Sequence, residues 1–168
     1  AAELVKRNLA LVYGGGNVGL MGIIADNVLA AGGQVVGVIP RKLVEKEVAH
    51  LDLTEQHIVE TMHQRKAWMA NISDGFIALP GGFGTLDELF EILTWAQLGF
   101  HDKPCGLLDV RHYYAPLLKF LHHAQDEGFI KAPHRQMLLH SESPSDLLDR
   151  FQHYHAPQVS KWGTLKDA

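Results

Sequence analysis

Two apolar runs in this chain each break straight into a glycine-rich turn, and each turn opens an amphipathic helix. Leu9 to Tyr13 (LALVY) leads into Gly14-Gly-Gly-Asn-Val-Gly19, and Gly75 to Leu79 (GFIAL) leads into Pro80-Gly-Gly-Phe-Gly-Thr-Leu-Asp-Glu88. A short run that is apolar throughout suits a strand covered on both faces, and strand–turn–helix is the repeating unit of parallel sheets. The rest of the chain keeps this rhythm. A helix is expected from Leu20 to Ala31, stopped by Gly32-Gly33, then a strand from Gln34 to Ile39 ended by Pro40. Arg41 to Leu53 is charged and mixed, a loop with a short helix, and His57 to Val59 is a short strand. Helices are expected from Thr61 to Ser73, Leu86 to Leu98, Tyr114 to Glu127 and Pro144 to Tyr154, with strands at Cys105 to Leu108 and Met137 to Leu139. Ala156 to Ala168 shows no period. The expected architecture is one Rossmann-like α/β domain over residues 1–155, a parallel sheet with helices on both faces, followed by an irregular tail at 156–168. Ala1 to Asn8 reads as the end of an amphipathic helix with no strand before it, so a first strand is expected to be missing from this chain.

A chain of 168 residues can bury a real core. Its net charge of -4 makes it a poor binder of duplex nucleic acid, although backbone donors still allow a small anion. Cys105 is the one cysteine and lies in an apolar run, which marks it as a buried, inert thiol. No apolar run approaches the roughly 20 residues of a membrane-spanning helix, and no signal peptide opens the chain, so a cytoplasmic protein is expected. The 11 histidines form no H-E-x-x-H or Cys/His set, and metal binding is not expected.

Ligands of such folds sit beyond the carboxyl ends of the strands, where both glycine turns fall. Gly14, Gly16 and Gly19 satisfy G-x-G-x-x-G, but the next strand ends Val38-Ile39-Pro40-Arg41 without the acid that would hold a ribose, which disfavours NAD. Close packing of helix on strand explains those glycines as well as ligand contact does. In the second turn no P-loop lysine follows Gly84. Gly81, Gly82 and Gly84 let the backbone approach a ligand, and the amides that follow favour an anion. Thr85-Leu-Asp-Glu88 also reads as a capping box, with Thr85 at the N-cap and Glu88 three residues on. Spacing alone leaves both readings open. Leu86, Leu89, Phe90 and Leu93 form an apolar stripe that Glu88 does not share, so Glu88 reaches the crevice.

The preceding helix carries Met62-His-x-Arg65-Lys66-x-x-Met69, and with Pro80-Gly-Gly-x-Gly84-Thr85-x-x-Glu88 it forms a pair of motifs. Together with Trp95-Ala-Gln-Leu-Gly99 and Lys103-Pro104, these resemble the LOG family, cytokinin riboside 5′-monophosphate phosphoribohydrolases long mislabelled as lysine decarboxylases. The resemblance covers most of the chain and implies hydrolysis of the N-glycosidic bond of an adenosine 5′-monophosphate, N6-modified above all, to free base and ribose 5-phosphate. It implies that Gly81, Gly82, Gly84 and Thr85 hold the phosphate and that Arg65 and Glu88 are the catalytic pair. Lys66, Asp87, Thr94 and Glu47 match substrate-contacting positions, and Met62, Gly15 and Gly16 join them. Asp87 stands where family members usually carry Glu, which leaves the charge in place. Without the resemblance, Arg65 and Lys66 would read as a solvated face, and Met62 and Met69 as core. The family implies a homodimer, with larger homo-oligomers also occurring in it, a small nucleoside monophosphate as the partner molecule, and no nucleic acid or membrane partner; the chemistry needs no cofactor. A general purine or pyrimidine nucleotide nucleosidase, and a carrier of a nucleotide or phosphorylated cofactor that cleaves nothing, are the competing readings.

Overall fold

In a computed structural model of the chain, the described residues are 1–46 and 49–157. They divide into two compact units, Ala1–Ser73 and Asp74–Ala168. The tail from residue 158 onward lies outside the described residues, as does Glu47.

The first unit contains α1 (Ala2–Lys6), β1 (Leu11–Tyr13), α2 (Leu20–Ala30), β2 (Val35–Pro40), α3 (Arg41–Val44), β3 (Glu55–Val59) and α4 (Met62–Ile72). Its three strands are parallel in the order β1-β2-β3, with Leu11 opposite Val35 and Val36 opposite Glu55. Tyr13 and Val35 share a core with Ala25 and Val28 of α2, and Leu4 and Val5 of α1 pack on it. Gly37, beside Tyr13 in the ladder, leaves room on this face for Leu53, whose Cδ1 would lie 2.4 Å from an added Cβ. α4 packs against all three strands, and its Arg65 crowds the α-carbon of Gly14, one residue past Tyr13. α4 begins with a true capping box: Thr61 Oγ1 accepts from the Gln64 amide at 3.1 Å, and Gln64 Oε1 accepts from the Thr61 amide at 3.2 Å.

The second unit contains β4 (Phe76–Ala78), α5 (Phe83–Leu98), β5 (Cys105–Leu108), α6 (Ala115–Asp126), α7 (Ala132–Gln136), β6 (Leu138–Ser141) and α8 (Pro144–Gln152). Its strands are also parallel, in the order β4-β5-β6. Side chains alternate across a strand, and both faces of β5 are occupied. Leu107 packs with Ala78, Leu89 of α5, Tyr114, Leu121 of α6 and Leu138. Gly106, facing the other way, gives its space to Leu147 and Phe151 of α8, which would lie 2.8 and 2.9 Å from an added Cβ. Helices on both faces of a parallel sheet are the α/β, Rossmann-like architecture expected from the sequence. Cys105 is 1% exposed, and burial pushes its thiol up to about 12.

The elements depart from expectation where local chemistry was misjudged. α7 and a short 3-10 turn at Val110–His112 were not anticipated, and both are too short to show a period. α5 starts three residues earlier than Leu86, at Phe83. Among the described residues, no helix is long and apolar enough to cross a membrane.

Candidate active site

The first unit gathers Gly14, Gly15, Gly16, Met62 and Arg65 around the carboxyl end of β1. Arg65 projects from the first turn of α4. Its Nε donates to the carbonyl of Val38 at 3.2 Å, and its Nη1 lies 3.9 Å from Met62 Sδ. The guanidinium rests against the Gly14 α-carbon: an added Cβ would lie 1.7 Å from Nη2. Arg65 is therefore half-buried and held on three sides, and Lys66 is only 9% exposed. The reading of these two as a solvated face is corrected by that burial. Arg41, the residue after β2, is ion-paired with Glu60 at 3.0 Å.

The glycines of this first turn have reasons inside the chain. Gly14 makes way for Arg65, and Gly15 has φ +72°, where an L side chain is strained. Gly16 bridges Ala49 in an isolated antiparallel pair.

The second turn is different. Gly82 is the N-cap of α5 with φ -94°, and an added Cβ at Gly82 or at Gly84 would meet nothing within 4 Å. Among the described residues nothing fills that space, and neither glycine has a positive φ. The helix has no side-chain cap and no acid in its first turn. The amides of Phe83, Gly84 and Thr85 thus have no acceptor within the helix, and the positive end of its dipole is uncompensated by its own residues. The capping-box reading of Thr85 and Glu88 is corrected here. Because the helix begins at Phe83, Thr85 already lies in the first turn, with Oγ1 beside Gly81, and Glu88 falls in the second turn, half-buried.

Two tyrosines hold this turn from below. The Tyr114 hydroxyl donates to the Leu79 carbonyl, and the Tyr113 hydroxyl donates to the Gly81 carbonyl at 2.8 Å. Their rings meet edge to face with centroids 5.0 Å apart. Asp109, 5% exposed, fixes the pair by accepting the Tyr114 amide at 2.6 Å. With those two carbonyls engaged, the turn's remaining hydrogen-bonding groups are mainly donors. These three residues were missed from sequence; the adjacent tyrosines just past β5 were the available signal.

Asp87 and Thr94 lie on the exposed face of α5, one heptad apart, with Phe83, Leu86, Phe90, Glu91 and Trp95 beside them. Phe83 is 94% exposed. The Thr94 hydroxyl donates back to the Phe90 carbonyl at 2.7 Å. The apolar stripe of α5 also runs further than expected, through buried Ile92 and Ala96.

Comparison with known proteins agrees with the motifs. A family model described as "Possible lysine decarboxylase" matches residues 21–151. A probable cytokinin riboside 5′-monophosphate phosphoribohydrolase of Oryza sativa subsp. japonica is 51% identical over 95% of this chain and 65% of its own length. A cytokinin riboside 5′-monophosphate phosphoribohydrolase of Arabidopsis thaliana is 51% identical over 98% of this chain and 76% of its own length. A second probable enzyme of that name from rice is 53% identical over 90% of this chain and 68% of its own. The chain thus spans about two thirds to three quarters of the length of these relatives. A family match over most of the sequence and half-identical relatives along nearly all of it show that this chain belongs to the LOG family.

Proposed function

We propose that this chain hydrolyses the N-glycosidic bond of an adenosine 5′-monophosphate, N6-modified in the cytokinin manner, giving free base and ribose 5-phosphate. The observation that carries the reading is the open space at Gly82 and Gly84 over the uncapped start of α5. Glycines that no contact among the described residues requires are explained by a ligand that does require them. The amides there suit a phosphate dianion, and Thr85 adds a hydroxyl donor.

Bond cleavage develops positive charge on the ribose. Glu88 is assigned to stabilise that cation and to orient or deprotonate the attacking water. Arg65 is always charged, so it is assigned to an anionic or ribose oxygen and not to proton transfer. Its hydrogen bond to Val38 and its seat on Gly14 keep that fork in a fixed direction. Lys66, Asp87, Thr94, Met62, Gly15 and Gly16 are assigned to substrate contact through the motifs they share with the family. A homodimer is proposed too, supported by the exposed apolar face of α5 around Phe83. A cytoplasmic setting is part of the same proposal.

The test is incubation with isopentenyl-AMP, AMP, CMP, GMP and the matching nucleosides, followed by chromatography for free base. Release from isopentenyl-AMP ahead of the others, with nucleosides untouched, is the expected result. Equal turnover of nucleoside and nucleotide would remove the phosphate cradle from the mechanism, and binding without any release would make the protein a carrier.

A further inference from the structure

His50 lies within the first unit, 5% exposed, and neither motif includes it. Its backbone amide donates to the Gly15 carbonyl at 2.9 Å, and its carbonyl accepts from Gln56 Nε2 at 3.1 Å. The neighbouring Ala49 bridges Gly16, so the segment around His50 lies along the Gly15–Gly16 turn. The ring is committed on both sides. Nδ1 is 3.2 Å from the Asp52 amide, which can only donate, so the ring hydrogen sits on Nε2. Nε2 is 2.8 Å from Asp26 Oδ1 on α2. The ionisable residues in contact with the ring are Asp26, through its carboxylate, and Asp52, through its amide; Asp26 also acts on Tyr13 of β1. Burial and then the Asp26 charge push the Tyr13 hydroxyl up to about 12.

These contacts form one connected path: Asp26 on α2, the His50 ring, the His50 amide, the Gly15 carbonyl, and Gly14 against the Arg65 guanidinium. We propose that His50 is a positioning residue for Arg65, bracing the glycine turn against α2 so that the surface on which the guanidinium rests stays in place. A functional group has to be held to within about 0.5 Å, and its support belongs on rigid elements. Here α2 is the rigid element, and the imidazole spans from it to the turn. The proposal rests on the proposed function insofar as Arg65 is taken to act on substrate; the brace itself does not depend on that reading.

Asp26→Ala cuts the brace at an aspartate whose side chain is 62% exposed and leaves the segment around His50 unaltered in sequence. His50→Asn keeps an acceptor near the Asp52 amide but cannot reach Asp26, whereas His50→Gln places an amide donor within reach of Asp26. Expected are a fall in kcat of about tenfold or more for Asp26→Ala and His50→Asn, with little change in Tm. Activity is retained in His50→Gln, and the variant combining Asp26→Ala with His50→Asn is no worse than either single one. In an Arg65→Ala background, Asp26→Ala adds no further loss. Separately, hydrogen exchange of the His50 amide in the free protein quickens in Asp26→Ala. The proposal is overturned if Asp26→Ala lowers Tm alone, if its effect on kcat persists in the Arg65→Ala background, or if exchange at His50 is unchanged. A wild-type protein inert towards every nucleotide would overturn the proposed function instead, and the exchange measurement would still decide the brace.

Discussion

At Gly14 a single added carbon decides where Arg65 can stand. A Cβ there would lie 1.7 Å from Nη2 and 2.7 Å from Cζ, both at the far end of a flexible side chain. The guanidinium can swing away without disturbing the core, so Gly14→Ala is expected to keep its Tm within a few degrees yet lose about as much activity as Arg65→Ala. Melting curves beside initial rates check this. An early-melting Gly14→Ala would mean that the turn, and not the arginine, gave way. At Glu88 the corrected start of α5 sharpens the test. Glu88 does not cap the helix, so Glu88→Gln has no cap to lose and exchanges a carboxylate for an amide of nearly the same shape. Activity is expected to fall by about 100-fold or more at unchanged Tm. Normal turnover by that variant would withdraw the catalytic assignment.

At the scale of elements, the hydroxyl brace under the second turn gives a graded prediction. Tyr114→Phe leaves the Leu79 carbonyl without its donor beside a ring only 2% exposed, and is expected to cost about 1 kcal/mol of stability. Tyr113 is 52% exposed, so water replaces its hydroxyl at little cost. Tyr113→Phe is therefore expected to raise KM for the monophosphate through a looser turn, with Tm unchanged; titration of substrate and calorimetry separate the two. The strands and most helices were legible because apolar runs and helical periods are local signals. The start of α5 was not. Thr85 and Glu88 have capping-box spacing, but Gly82 takes the N-cap position and Phe83 and Gly84 enter the helix ahead of them. Contacts such as Tyr113 to Gly81 and His50 to Asp26 join residues 32 and 24 positions apart, and a single sequence carries no local mark of them. The site was read from a shared pair of motifs, while what holds the site in place had to be seen.

Across the whole molecule, three buried acids resist ionisation together. Burial pushes Cys105 up to about 12 from an ordinary 9.0, and pushes Tyr13 and Tyr114 up to about 12 from 10.0. Each keeps its proton longer folded than unfolded, so the unfolded chain releases protons first as pH rises. Their contribution is complete below about pH 9 and declines above it, and Tm is expected to fall steadily between about pH 9 and 12. Cys105→Ala should flatten the first part of that decline. Tolerance to changes in length also varies along the chain, and the box at the start of α4 sets one strict limit. Thr61 pins the first turn, and Arg65 follows four residues later. Each residue of an α-helix advances its side chains by about 100° around the axis. One extra residue between the two would carry the guanidinium about a quarter-turn round the cylinder and off its glycine seat, so this short interval keeps its count while the exposed loops elsewhere are free to grow.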